Sequence, residues 1–366
     1  MNILIISPEK WGEMRISKHH YAIALAQAGH NVKFLEPMNP GWQWSKSSFD
    51  SKTSATPNLE VVSQSLFFPY NLKFHLARFY DTLIKIHIRK IENNIGPFDL
   101  IWSFDIANGL PLKHFKKDTK SIFFAADWPP NKDSIHAPQG ANLIVSVAQE
   151  ILDQYPTPPN SKKLLVSHGV ANPFIQASKK PFQPQSSRIK IGLSGNFLRP
   201  DINRLALQTI VNHHPQLHFS FFGAYESKES NLGGNDDIDT IHFIDSLRGK
   251  TNTQFHGILS QNDLANKLRE MDAFLICYDE SKDQSKGTNY HKISEYLAYN
   301  RFIVSNRVSA HASNPMVLQD ANGDGKVDVI ANFNAFIRLY SRDINPSTVK
   351  PLISYQDNLN SILGAL

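Results

Sequence analysis

The residues whose types and spacing carry the most chemistry lie between Gly287 and Ala298, in GTNYHKISEYLA. An apolar run, Phe274 to Tyr278, comes first, then a polar loop, then a helical period. A loop entering a helix presents backbone N–H groups with no intrahelical partner, and the helix dipole together with Lys292 adds positive character. Gly287, Thr288, Asn289 and Lys292 therefore form a candidate anion site suited to a diphosphate. Glu295 follows Lys292 by three residues, so the two share one helix face, and its carboxylate can accept hydrogen bonds from ribose hydroxyls. The same spacing also describes an ordinary i, i+3 ion pair on a solvated face.

Other chemistries lack their residues. There is no G-x-G-x-x-G after a strand, no Walker loop and no H-E-x-x-H, and Gly192-Leu-Ser194-Gly195 has the wrong spacing for a nucleophile elbow. Asp320 to Asp328 places oxygen ligands like a calcium loop, but Ala331 occupies its twelfth position, and the segment reads as a turn before a late strand. The pairs His19-His20 and His213-His214 have no second cluster at metal-ligand spacing, so no metal site and no cofactor are expected.

The elements that must position such a site alternate short β-rich runs with helical patterns along 366 residues, a length that suggests two domains. Strands are predicted at Asn2 to Ser7, Asn31 to Glu36, Leu59 to Ser63, Phe98 to Phe104, Ser121 to Ala125, Asn142 to Val147 and Lys163 to Ser167. Most are continuous apolar runs, the mark of buried parallel strands. Helices are predicted over Lys18 to Ala28 and Leu72 to Asn93, the second with an apolar stripe of Leu72, Leu76, Phe79, Leu83 and Ile86. After a proline-bearing linker the alternation restarts, with strands at Ile189 to Ser194, His218 to Phe222, Gln254 to His256, Ala273 to Tyr278, Phe302 to Ser305 and Val327 to Ile330. Helices separate these near Asp201 to His213, Asp236 to Leu247, Asn262 to Met271 and His291 to Tyr299. The expected organisation is an N-terminal domain over 1–172, a linker over 173–188, a C-terminal domain over 189–345 and a C-terminal helix within 346–366 packing back on the first domain.

Net charge is +5, divided as +6 over residues 1–180 and −1 over the rest, which suits a phosphate-bearing ligand or an anionic membrane surface and is too diffuse for nucleic acid. The single cysteine, Cys277, excludes an intrachain disulfide and fits a reducing compartment. No apolar stretch approaches a spanning helix and no signal peptide is visible, so the cytoplasm is expected, with a place at the inner face of the membrane as an extension. Residues 66–91 mix aromatic and basic side chains, which describes either a membrane-docking segment or a core helix with a solvated basic face.

HKISEYLAYNRFIVSN resembles the K-x-x-E-Y-L-A segment of GT-B nucleotide-sugar glycosyltransferases, particularly those of family 4 type. Four further segments agree in order: the opening strand, loop and helix with LAQAGHNV at Leu25 to Val32, SHGVANPF at Ser167 to Phe174, IGLSGNF at Ile191 to Phe197, and Gln254 to Tyr278. The resemblance implies an α/β fold with two Rossmann-like, doubly wound parallel-sheet domains facing each other across a cleft. It further implies a nucleotide-sugar donor in the C-terminal domain and a glycan or lipid-linked acceptor in the N-terminal one, in surface polysaccharide or glycolipid synthesis.

On this resemblance Lys292 meets the diphosphate and Glu295 the ribose, while Gly195 and Asn196 let the donor approach backbone closely. Arg199 adds charge toward the phosphates or is a solvated arginine, and the Gly12 loop contacts donor phosphate or acceptor. Retaining members carry two glutamates, and the first falls on Gly287 here, so an inverting route with a base in the N-terminal domain stays open. Asp127 is the first candidate, then Asp105, then Glu13 and His20, each with capping, packing or a surface charge as its alternative. A GT-B epimerase and a noncatalytic nucleotide-sugar or glycan-binding protein are the rival readings.

Overall fold

The computed structural model describes residues 1–42, 46–182, 187–226, 230–321, 326–340 and 351–366. The chain divides into two compact units, one of Met1–Trp11, Arg15–Ser167 and Tyr355–Leu366, the other of Gly12–Met14 and His168–Ser354.

The first unit is built on strands β1 (Asn2–Ile6), β2 (Asn31–Trp42), β3 (Ser48–Thr53), β4 (Leu59–Leu66), β5 (Leu100–Ser103), β6 (Lys120–Ala125), β7 (Leu143–Ser146) and β8 (Lys162–Leu165). Its helices include α1 (Ser17–Gln27), α2 (Leu72–His75), α3 (Ala77–Ile95) and α4 (Gln149–Leu152). The sheet order is β3-β4-β2-β1-β5-β6-β7-β8, parallel throughout except for β3, which runs antiparallel to β4. Chain order reverses at β1, so the loops after β1 and β5 flank the switch point where such sheets open a crevice. β5 and β7 are buried along their whole length, as continuous apolar runs require of strands covered on both faces. β3 was not predicted: Ser48–Thr53 is polar and largely exposed, because an edge strand needs only one bonded flank.

The second unit has six parallel strands, β9 (Lys190–Ser194), β10 (His218–Phe222), β11 (Thr253–Phe255), β12 (Ala273–Ile276), β13 (Ile303–Ser305) and β14 (Val317–Leu318), in the order β11-β10-β9-β12-β13-β14. Its helices include α5 (Asn172–Ser178), α6 (Arg204–His213), α7 (Ile238–Arg248), α8 (Gln261–Leu268), α9 (His291–Leu297) and α10 (Val329–Leu339). The switch point lies between β9 and β12. A last helix, α11 (Tyr355–Ala365), lies along α1 in the first unit, where the Tyr355 ring stacks on His20 at 4.7 Å and Asn358 Nδ2 donates to Ser167 O at 2.7 Å.

Several expectations need correction. Residues 173–178, assigned to the linker by composition, are helical as part of α5, because Pro173 occupies the first turn, where its missing N–H costs nothing. Residues 183–186 of that stretch, and 341–350 before the last helix, lie outside the described residues. The late strand expected over Val327 to Ile330 is reduced to a bridge of Val327 to Ala321, and α10 begins at Val329: Asp328 caps it, accepting from Ile330 N and Ala331 N at 2.9 and 3.0 Å, and Val329, Phe333 and Phe336 bury one face. Asn322 and Asp324 of the calcium-like segment lie outside the described residues.

The helix expected over Leu72 to Asn93 breaks at Leu76, whose φ of −136° and ψ of 59° separate α2 from α3. Its buried face is also only partly the predicted stripe, of which Leu72 and Leu83 pack partly buried against the core. Tyr80, Ile84, His87, Ile88, Ile91 and Ile95 enter the core, while Leu76, Phe79 and Ile86 are exposed. Two apolar stripes compete on this helix, and the outer one shares its side with Arg78, Lys85 and Arg89, which would be costly to bury. The inner stripe's one polar member is satisfied, since His87 Nε2 bonds Gln64 Oε1 at 3.0 Å and burial holds the imidazole neutral, its pKa lowered to about 4. Ile88→Ala should therefore cost about 2–5 kcal/mol of unfolding free energy in denaturant titration, and Phe79→Ala no more than about 0.5 kcal/mol.

Candidate functional site

In the second unit β9 ends at Ser194 and delivers Gly195 to the switch point. Gly195 N donates to Phe222 O at 2.8 Å, and Gly223, at φ +125°, lies so close that a Cβ there would fall 1.8 Å from Gly195 O. Two glycines thus pack backbone on backbone where side chains would collide. Tyr296 fixes α9 beneath this turn: its hydroxyl takes the Ser194 N–H at 2.6 Å and lies 2.9 Å from Ser194 Oγ, and its ring stacks on Phe274 at 4.0 Å.

One turn earlier on α9, Lys292 reaches over Gly195. A Cβ at position 195 would stand 2.7 Å from Lys292 Nζ, so glycine lets the ammonium sit here where a side chain would make it shift. Nζ donates to Tyr278 Oη at 2.5 Å and lies 5.2 Å from that ring's centre. Lys292 is thereby directed away from Glu295, and among the described residues no ion pair joins the two, against the bland reading of their spacing. Glu295 is buried, and desolvation lifts its carboxyl from an ordinary 4.5 to about 8, with the Lys292 charge pulling the other way. At neutral pH it is largely protonated and can both donate to and accept from a hydroxyl.

The loop before α9 is folded around Asp283. Its Oδ2 accepts from Ser285 Oγ at 2.5 Å, Gly287 N at 3.1 Å and Tyr290 Oη at 2.9 Å, while Thr288 Oγ1 donates to Ser285 O at 2.7 Å. Thr288 and Asn289 are buried in this loop. Gly287 has φ +66°, and a Cβ there would stand 2.6 Å from Arg307 O and 3.3 Å from the carboxyl carbon of Glu280. A glutamate at 287 is excluded on both counts, and Glu280 puts its own carboxylate beside the position, bonded through Oε1 to Arg307 N at 2.9 Å.

The other donor-side candidates do different work. Asn196 is spent on its own loop, with Nδ2 donating to Ser230 Oγ and Gly233 O and Oδ1 accepting from Leu198 N. Arg199 is matched by buried Asp201 through Nε at 2.9 and 3.0 Å and Nη2 at 2.5 Å, so its charge is already balanced. Gly12 belongs to the second unit, where a Cβ would meet Asn231 Cγ at 2.4 Å, and Met14 exchanges two backbone hydrogen bonds with the Asn231 carboxamide, each 3.2 Å.

The candidate bases also separate. Asp105 Oδ2 accepts from Gly109 N at 2.6 Å and Leu110 N at 2.9 Å, which makes it the anchor of the loop after β5. Glu13 is exposed within the segment that joins the second unit. His20 is buried in the first unit, and burial lowers its pKa to about 3, with the neighbouring His19 and Arg15 charges adding to the effect; that makes it a weak base near neutrality. His19 packs between Trp11 and Phe34 and bonds Lys10 O at 3.0 Å. Asp127 follows β6 and is only half-buried. Burial first, then the charges of Asp127 and Asp105, push the Tyr155 hydroxyl well up, so these carboxylates share one neighbourhood with an aromatic hydroxyl. Lys73 and Tyr70 feel Asp105 as well, and Lys73 Nζ donates to Ala107 O at 2.5 Å and Tyr70 Oη at 3.2 Å.

Sequence reasoning missed Tyr278, Glu280, Asp283 and Tyr296. The available signal was two tyrosines inside buried segments, Tyr278 closing an apolar strand and Tyr296 four residues after Lys292, each with a hydroxyl that must find a partner. A separate cavity of about 410 Å³ opens among the first residues of β1, β2 and β4, at the opposite end of that sheet from the switch-point loops, and the Lys33–Glu60 pair on its wall already neutralises itself.

Because Glu295 binds its proton more tightly folded than unfolded, stability should fall as pH rises from about 4.5 to about 8. Glu295→Gln should flatten that part of the profile, as read by melting temperature at closely spaced pH values.

No protein-family model matches the sequence, and no curated protein matches it. Solved structures do. An α,α-trehalose-phosphate synthase (UDP-forming) from Burkholderia xenovorans, in complex with glucose-6-phosphate, superposes at a TM-score of 0.63 with 12% identity over 100% of this chain and 96% of that one. HepE from Anabaena, in complex with UDP and glucose, gives 0.62 with 10% identity over 100% of both chains. The lipopolysaccharide outer core galactosyltransferase WaaB gives 0.57 with 12% identity over 100% of this chain and 99% of that one. These likenesses, with the two parallel sheets, show the fold: two Rossmann-like domains of the GT-B kind.

Proposed function

We propose that this chain is a metal-independent glycosyltransferase of family 4 type, moving a sugar from a nucleoside-diphosphate donor to a hydroxyl of a glycan or lipid-linked acceptor in surface polysaccharide or glycolipid assembly. The observation that carries the reading is the Lys292 ammonium held by Tyr278 over the bare backbone of Gly195 at the switch point of a parallel sheet. A diphosphate fits that chemistry, since a cation above open backbone stabilises charge on the leaving group without a metal ion. Glu295, largely neutral and buried one turn away, suits a ribose hydroxyl pair, and Glu280 takes the sugar-side place that Gly287 leaves empty. HepE bound to UDP and glucose, and the galactosyltransferase WaaB, support the donor class and the surface-glycan setting by likeness of fold.

In this reading Asp127 is the proton acceptor in the first unit. The acceptor hydroxyl gives its proton to the Asp127 carboxylate, its oxygen bonds the anomeric carbon, and the bond to the diphosphate breaks with its electron pair staying on phosphate. Asp105 positions the adjacent loop through its two backbone bonds.

Thermal-shift titration with uridine and guanosine diphosphates should raise the melting temperature of the native chain, and Lys292→Ala should abolish the rise. An unchanged shift in that variant would place the nucleotide elsewhere. In a transfer assay Asp127→Asn should lower kcat about 10²- to 10⁴-fold with donor affinity kept, and EDTA should leave the rate intact. Sugar product formed without acceptor would favour the epimerase instead, and nucleotide binding without turnover on any acceptor pool would favour a binding protein.

A further inference from the structure

We infer that the outer face of α3, with the turn that precedes it, is a docking surface for an anionic lipid bilayer. Four large apolar side chains stand in solvent here: Phe74 is 66% exposed, Leu76 55%, Phe79 50% and Ile86 42%. Exposed apolar residues scattered singly are ordinary, but these occur within thirteen residues, and Phe79 and Ile86 lie two helical turns apart on one face. The cations Arg78, Lys85 and Arg89 are exposed along one flank of that face, seven and four residues apart, with Arg89 one turn from Ile86. None of the three takes part in an ion pair among the described residues. The helix carries two acids, and both are turned to other work: Asp81 pairs with Lys113 at 2.9 Å and His114 at 2.8 Å, and Glu92 Oε1 accepts from Lys116 N at 3.0 Å.

A face of large apolar groups flanked by cations without ion-pair partners among the described residues selects its partner. A second copy of the chain meeting it across a two-fold axis would set cations against cations. A nucleic acid would satisfy the cations and leave the phenylalanines in water. The boundary between anionic head groups and acyl chains satisfies both at once. No described helix is long and apolar enough to cross a membrane, so contact through this face is attachment to one leaflet. The inference stands on the exposed face of α3 and does not depend on sugar transfer.

The test is co-sedimentation of the full chain with vesicles of phosphatidylcholine alone or mixed with phosphatidylglycerol. The expected result is pelleting with the mixed vesicles at low salt, release at high salt, and retention in the supernatant with phosphatidylcholine. Lys85→Gln with Arg89→Gln should weaken binding about thirtyfold, about fivefold for each cation. Phe79→Ser with Ile86→Ser should abolish it while the melting temperature stays unchanged, since neither side chain is in the core. Protein left in the supernatant with mixed vesicles at low salt overturns the inference. So does equal binding by either double variant, or light scattering that shows a dimer dispersed by Phe79→Ser with Ile86→Ser.

Discussion

An ammonium held by a tyrosine hydroxyl over backbone organises the second unit's site. Gly195 has no Cβ, so the ammonium of Lys292 can stand above its backbone, and the hydroxyl of Tyr278 holds it there. Around that gap every neighbour is positioned by a group that is itself constrained. Gly223 lets β10 close against the turn, Tyr296 ties α9 to Ser194, and Asp283 folds the loop that leads into the helix. The consequence is a cation, a neutral carboxyl and exposed backbone brought together at the carboxyl end of a parallel sheet, on regular elements and a tightly bonded loop.

Burial sets the protonation state of nearly every unusual group. Desolvation disfavours charge whichever sign it has, so it lifts Glu295 and Cys277 and lowers His19, His20, His87 and His168. The buried histidines are neutral packing or hydrogen-bonding groups at physiological pH. Half-buried Asp105 and buried Asp201 keep their charge by another route, the first taking backbone N–H groups and the second the Arg199 guanidinium. Asp127 is a half-buried carboxylate after a strand of the first unit, and among the described residues no ion pair joins Lys292 to Glu295 in the second.

The fold was legible wherever burial was two-sided. Continuous apolar runs such as Ile3 to Ile6 and Leu143 to Val145 have one reading, since a strand covered on both faces is mostly apolar, and they appear as inner strands. Legibility failed where competition had to be settled by something distant. The outer stripe of α3 is as apolar as many buried stripes, and its rejection depended on cations that had to stay in water. Val327, Val329 and Ile330 are β-branched, yet the cap from Asp328 starts a helix at Val329. The edge strand β3 has almost no apolar pattern and exists because β4 offers it a partner. At the site, Lys292 and Glu295 were visible as a spaced pair, but the tyrosine that holds Lys292 and the one that ties their helix to Ser194 were not.

By itself the sequence determined the alternation of strands and helices, their grouping into two parallel-sheet halves, and the place of a lysine and a glutamate one turn apart after a buried strand, because these follow from local period and composition. Tertiary structure alone decided which face of α3 meets water, which carboxylates are consumed as anchors, and that Lys292 turns to Tyr278 over Gly195 while Glu295 keeps its proton. Those outcomes depend on what lies across the fold from each residue, and neither desolvation nor the space left by an absent Cβ is written in the neighbours along the chain.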